Sequence, residues 1–94
     1  KTLSIELGRF GIRVNAIQPG MVEGPRVERV MREKAASAGI SYEELQRRAA
    51  KNISLRHGVT AADIAALVVF LVGDGGQNIS GQAIPVDGDQ TSLG

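Results

Sequence analysis

Few side chains in this sequence are equipped for chemistry, and their spacing narrows the choice further. Cysteine is absent, which removes thiolate nucleophiles, disulfides and soft metal ligands. His57 is the single histidine, and no carboxylate or thiol stands at the spacing that a metal site or a nucleophile–base pair would need. Arg26, Arg29, Arg32, Arg47 and Arg48 would suit a phosphate-rich partner if they stood together. Glu23, Glu28, Glu33, Glu43 and Glu44 are interleaved with them, however, which is the pattern of a solvated helical face. What remains is backbone chemistry at Gln18-Pro19-Gly20-Met21-Val22, where an apolar, β-branched segment ends in a Pro-Gly turn. Alone, Pro-Gly signals only a turn. At the carboxyl end of a strand in an open α/β sheet, it marks the place where ligands are held.

Those residues need elements to position them. Leu3, Ile5 and Leu7 with polar Glu6 and Arg9 predict the last turns of a helix over residues 1–7, with Gly8 taking the left-handed conformation at its end. Lys1 opens onto this pattern with no capping residue before it, so the helix reads as one cut in half. Phe10-Gly11 then turns the chain. Ile12, Val14, Ala16 and Ile17, with Arg13 and Asn15 between them, predict an interior parallel strand over 12–18, apolar enough for a sheet covered on both faces. Gly24-Pro25 puts proline where a first helical position tolerates it, and Val27, Val30, Met31 and Ala35 recur at helical spacing until Gly39 stops the helix.

Ser41-Tyr42-Glu43-Glu44 has the form of a capping box and opens a short helix to about Lys51. Thr60-Ala61-Ala62-Asp63 repeats the device in weaker form before Ile64–Val72, which is apolar on almost every face and is expected to be buried. Asp74-Gly75-Gly76-Gln77-Asn78 breaks that helix, Ala83-Ile84-Pro85-Val86 is a short apolar strand, and Asp87-Gly88-Asp89 is a turn. A strand, a helical crossover and a second strand make a parallel α/β unit. Two strands alone make a poor sheet, so the unit is expected to pair with copies of itself or to belong to something larger.

Composition sets the outer limits. The chain has 94 residues, 43% of them hydrophobic and 22% charged, with a formal net charge of +1, which places it among small globular chains and argues against disorder. Charge so near zero gives no electrostatic reason to expect nucleic acid or an anionic membrane as partner. The longest apolar run, Ile64–Val72, falls well short of the roughly 20 residues a bilayer span requires. No repeat, low-complexity segment or linker divides the chain.

Three ordered motifs carry a resemblance that covers essentially the whole chain. Glu6-Leu7-Gly8-x-x-Gly11-Ile12-Arg13-Val14-Asn15-Ala16-Ile17-x-Pro19-Gly20, then Asp63-Ile64-Ala65 with Phe70-Leu71, then Ile79-Ser80-Gly81-Gln82-Ala83-Ile84-Pro85-Val86-Asp87-Gly88 resemble the C-terminal part of the short-chain dehydrogenase/reductase family. The resemblance implies the C-terminal part of a Rossmann-type doubly wound parallel α/β sheet, here two strands and about four helices, incomplete on its own. Residues 1–94 would be one segment of a single NAD(P)-binding domain, with a substrate lid over about 21–58. The implied activity is hydride transfer between NAD or NADP and a small alcohol or carbonyl compound, in a cytoplasmic homo-oligomer that packs through about 60–73 and 82–87.

By the same resemblance Pro19, Gly20, Met21 and Val22 are the cofactor-facing residues, with main-chain groups near Val22 holding the nicotinamide carboxamide. Many members carry a threonine two residues after that valine, and this chain has Gly24 there. The family's Gly-x-x-x-Gly-x-Gly loop, its serine and its Tyr-x-x-x-Lys pair have no counterpart, since Tyr42 is followed four positions later by Gln46 and Lys1 lies beyond the place of the catalytic lysine. No catalytic residue is therefore assigned, and the chain alone is expected to be inactive. Two other readings compete. One is a non-catalytic self-association module or truncated pseudoenzyme, and the other is a helix-turn-helix built from 41–51 and 60–72, whose second helix is apolar where a recognition helix should be polar. Tyr42, His57, Met21 and Met31 are either packing residues or lining of a substrate pocket.

Overall fold

The computed structural model describes residues 1–91, so residues 92–94 of the single segment expected over 1–94 lie outside the described part. Four helices and two strands follow in the order α1 (Thr2–Gly8), β1 (Ala16–Pro19), α2 (Pro25–Ala38), α3 (Tyr42–Ala50), α4 (Ala61–Val72), a single 3-10 turn at Asp74–Gly76, and β2 (Ala83–Val86). The strands pair in parallel, Ala16 opposite Ala83 through Pro19 opposite Val86, with the helices forming the crossover between them. This is the expected α/β arrangement, and it sets the carboxyl ends of both strands side by side.

Local chemistry explains where the helices start and stop. Pro25 occupies the first turn of α2 and Gly39 ends it at φ 70°, a left-handed conformation that glycine adopts without steric cost. The two capping signals differ from expectation in strength. At α3, Ser41 accepts a hydrogen bond from the Glu44 amide at 3.1 Å, which is half of a box. At α4 the box is complete, with the Asp63 amide donating to Thr60 Oγ1 at 3.1 Å and the Thr60 amide donating to Asp63 Oδ2 at 2.8 Å. At α1 the left-handed residue is Gly11, φ 75°, rather than Gly8, because the chain leaves the helix through one further turn.

The strand expected over 12–18 is shorter and less covered than the sequence suggests. β1 begins at Ala16 because the polar groups before it are committed to the loop ahead of β2 instead of to a ladder. The Val14 amide donates to Ser80 Oγ at 3.1 Å, Asn15 Nδ2 donates to the Ile79 carbonyl at 3.0 Å, and Asn15 Oδ1 accepts from the Gln82 amide at 3.1 Å. Arg13 donates to the carbonyls of Leu71 and Gly76, tying the end of α4 to the strand's approach. Three of the four β1 residues are exposed.

α4 likewise buries only Leu71, and Val69, Phe70 and Val72 are 68%, 51% and 71% exposed. Its apolar pattern is written for neighbours on several sides, and within the described residues only one side has them. The small core sits under the α2–α3 hairpin and the loops beside it, around Ala35, Ile53 and Val59. The chain is correspondingly long and open: it measures 56 × 23 × 22 Å with a radius of gyration of 17.1 Å. A compact chain of this length would have a radius of about 12 Å.

Candidate functional site

Gly20 leaves β1 and immediately meets the exit of β2. Its amide donates to the Val86 carbonyl at 3.0 Å. A Cβ at Gly20 would lie 2.6 Å from Asp87 Cβ and 2.8 Å from Asp87 Cα, so no side chain fits there without moving the backbone of the second exit turn. The close approach that requires glycine is thus made to Asp87. The Met21 amide then donates to Gln90 Oε1 at 3.2 Å, which fastens the next residue to the segment after β2.

The following residues pair with the segment that precedes α4. The Val59 amide donates to the Met21 carbonyl at 2.8 Å, and the Glu23 amide donates to the Val59 carbonyl at 2.7 Å, giving an isolated parallel bridge between Val22 and Val59. In extended chain the N–H and C=O of one residue face the same edge and successive residues alternate. Met21 spends its carbonyl and Glu23 its amide on Val59, so the N–H and C=O of Val22 face the opposite edge. Among the described residues neither group of Val22 makes a hydrogen bond. The site therefore presents one backbone donor and one backbone acceptor, side by side, on a half-buried residue just beyond the carboxyl end of a parallel strand.

Two grooves open beside this turn. The larger, about 670 Å³, runs between α2 and α3 over Gly20 and Met21, with Val27, Val30, Met31, Leu45 and Ile53 as apolar wall. The smaller, about 430 Å³, lies at the start of α2 and is lined by Met21, Glu23, Glu28, Met31, Tyr42, Arg56 and His57 among others. Of the residues singled out by sequence, Gly20 and Met21 line the first groove, Met21 also lines the second, and Pro19 and Val22 line neither. Met31 reaches both grooves, while Tyr42 and His57 reach only the second.

Tyr42 Oη accepts from Gln46 Nε2 at 3.0 Å, and its ring lies under the Arg32 guanidinium, 4.1 Å away. His57 Nδ1 is 2.8 Å from the Gly58 carbonyl; a carbonyl only accepts, so Nδ1 donates and Nε2 is left as the other face of the ring. Asp63 is held below the usual carboxylate range, chiefly by the backbone hydrogen bond from Thr60 and further by the Thr60 hydroxyl partner, with a smaller contribution from His57. No cluster of His, Asp or Glu among the described residues could hold a metal ion. No described helix is long and apolar enough to cross a membrane.

Sequence reasoning missed Val59, Gly58 and Gln90. Gly58 is buried because its position faces the Met21 carbonyl, 2.7 Å from where a Cβ would stand. The available signal was Gly58-Val59 directly before the Thr60 cap, an apolar residue in the place where a helix entry is fixed by packing.

Comparison with known proteins decides the family. Residues 1–89 match the family model described as enoyl-(acyl carrier protein) reductase. The chain belongs to the short-chain dehydrogenase/reductase family. Levodione reductase from Leifsonia aquatica is 37% identical over 96 residues, covering 95% of this chain and 32% of that protein. A short-chain dehydrogenase family protein from Francisella tularensis superposes with a TM-score of 0.85 at 34% identity, covering 94% of this chain and 36% of that one. L-sorbose reductase from Gluconobacter frateurii, solved with NADPH and L-sorbose, superposes at 0.83 with 26% identity over 95% of this chain and 34% of its own. This short-chain dehydrogenase/reductase sequence thus spans about a third of the length of the relatives it matches, and its partial Rossmann-type α/β fold is theirs.

Proposed function

We propose that Pro19, Gly20, Met21 and Val22 form one wall of the nicotinamide cleft of an oxidoreductase that transfers hydride between NAD or NADP and a small alcohol or carbonyl compound. The observation that supports this most is the outward-facing N–H and C=O pair of Val22. A carboxamide carries a carbonyl acceptor and an amino donor, so the two backbone groups fit it in chemistry. When bound, the nicotinamide supplies the hydride. Gly20 sets the depth of the wall by letting the two strand exits close on each other, and the Val59 bridge holds the direction of the Val22 groups. α2 and α3, within the lid span 21–58, cover the substrate side with apolar wall over Gly20 and Met21.

Sequence outside these residues would supply the dinucleotide loop and the proton donor. A missing acid forfeits about 10²–10⁴ in rate, and a missing phosphate cradle forfeits most of the cofactor's binding. The exposed face of α4, with Val69 and Val72, and the neighbouring strand β2 would pack against a second copy, as expected for 60–73 and 82–87. The test is turnover of carbonyl compounds by the protein at its natural full length with NADH and NADPH, set against the 94-residue chain alone. Activity in the former and none in the latter is expected. Turnover by the isolated chain, or a full-length protein that binds neither cofactor, would overturn the reading.

A further inference from the structure

The larger groove has a one-sided charge that its apolar wall does not require. Arg26, Lys34 and Arg48 line it, and no Asp or Glu does. Of the carboxylates of the same helices, Glu28 lines the smaller groove and pairs with Arg32 at 2.8 Å, and Glu33 lines neither groove but a separate shallow surface that it shares with Val30 and Lys34. Glu44 is shared between Arg47 at 2.5 Å and Arg48 at 3.2 Å, one carboxylate against two guanidiniums. The side chains of Arg26 and Lys34 make no ion pair among the described residues. A face that reads in the sequence as evenly mixed charge is therefore sorted by the fold, with three cations and no acid lining the groove, Arg48 paired with Glu44 and the other two outside any ion pair among the described residues.

From this sorting we infer that the groove takes a ligand with an apolar body and a single anionic group, a carboxylate, and that Arg26 and Lys34 select it. The body packs on Val27, Val30, Met31 and Leu45. Arg26 and Lys34 are eight residues apart on one helix, about 12 Å along its axis. Spaced so, they offer two separate single-charge contacts along the groove instead of one doubly charged cradle, and either can pair with a monoanion. Dispersed cations on an apolar wall match the shape of a chain-bearing acid. If the reading of Pro19–Val22 as a nicotinamide wall holds, the carbonyl substrate is itself a keto acid of this kind, because Gly20 and Met21 floor the same groove. Binding of the acid stands apart from that reading.

Calorimetric titration of the full-length protein with decanoate, decanol and decyl phosphate tests this without requiring turnover. Decanoate is expected to bind about tenfold more tightly than decanol and at least as tightly as decyl phosphate. The R26Q/K34Q pair should abolish that preference while leaving decanol unchanged, and Arg29→Gln, on α2 but outside the groove lining, should leave all three ligands unchanged. Equal affinity for decanoate and decanol, a marked preference for the phosphate, or an R29Q effect equal to that of the pair would overturn the inference. Decanoate selectivity in a protein inert toward NAD(P)H would leave the anion site standing and remove only the oxidoreductase reading.

Discussion

Gly20 shows how one residue's lack of a side chain fixes a site. A methyl group there would overlap Asp87 Cβ at 2.6 Å, so Gly20→Ala must push the two strand exits apart. It should destabilise the protein by about 1–3 kcal/mol, as overpacking does, and lower the thermal midpoint. Gly24→Ala is the contrasting change: a Cβ there meets nothing within 4 Å, and φ 165° is ordinary extended backbone. It should leave stability level or slightly raised. Asp63 carries a pH dependence of known sign. Its folded-state pKa lies below the unfolded value, so the stability it contributes is present above about 3.9 and is lost as pH falls through the depressed folded value. Amide protection at Thr60 and Asp63, measured against the intrinsic exchange rate at each pH, should therefore fall in acid more than at the rest of α4. Asp63→Asn should remove that acid sensitivity.

At the scale of elements, the fold is held by polar stitches between segments far apart in sequence. Arg13, joined to the carbonyls of Leu71 and Gly76, closes the end of α4 against the approach to β1. Hydrogen bonds from a charged group contribute about 1.5–3 kcal/mol, and Arg13→Ala should cost that much, with exchange quickening most over 71–82. The same stitches explain what the sequence hid. The exit of β1 was legible because β-branched residues run into Pro19-Gly20. The start of β1 was not legible, because the alternation of Arg13 and Asn15 with Ile12 and Val14 looks like a strand, whereas their side chains are spent on the loop before β2. Val59 and Gln90 were invisible as partners for the same reason of distance. Gln90 reaches Met21 across 69 positions, and nothing in local pattern announces such a pairing.

Over the whole molecule, the accessible surface is 6691 Å², against about 5,200 Å² for a compact monomer of this mass. The difference, roughly 1,500 Å², exceeds the ~800 Å² that one partner contributes to a standard interface. α4 contributes to this excess: Val69, Phe70 and Val72, which read as buried in sequence, stand exposed among the described residues. Val69→Glu with Val72→Glu should shift the full-length protein from oligomer toward monomer in light scattering, without weakening cofactor binding. The proposed nicotinamide wall rests on Val22, and the most direct test is its own amide. In full-length protein labelled with ¹⁵N-valine and titrated with NADP⁺ and NAD⁺, the Val22 N–H should move and exchange more slowly with the cofactor that binds, while the Val59 N–H, already donated to Met21, stays in place. Saturating cofactor with an unmoved Val22 amide would contradict the nicotinamide wall.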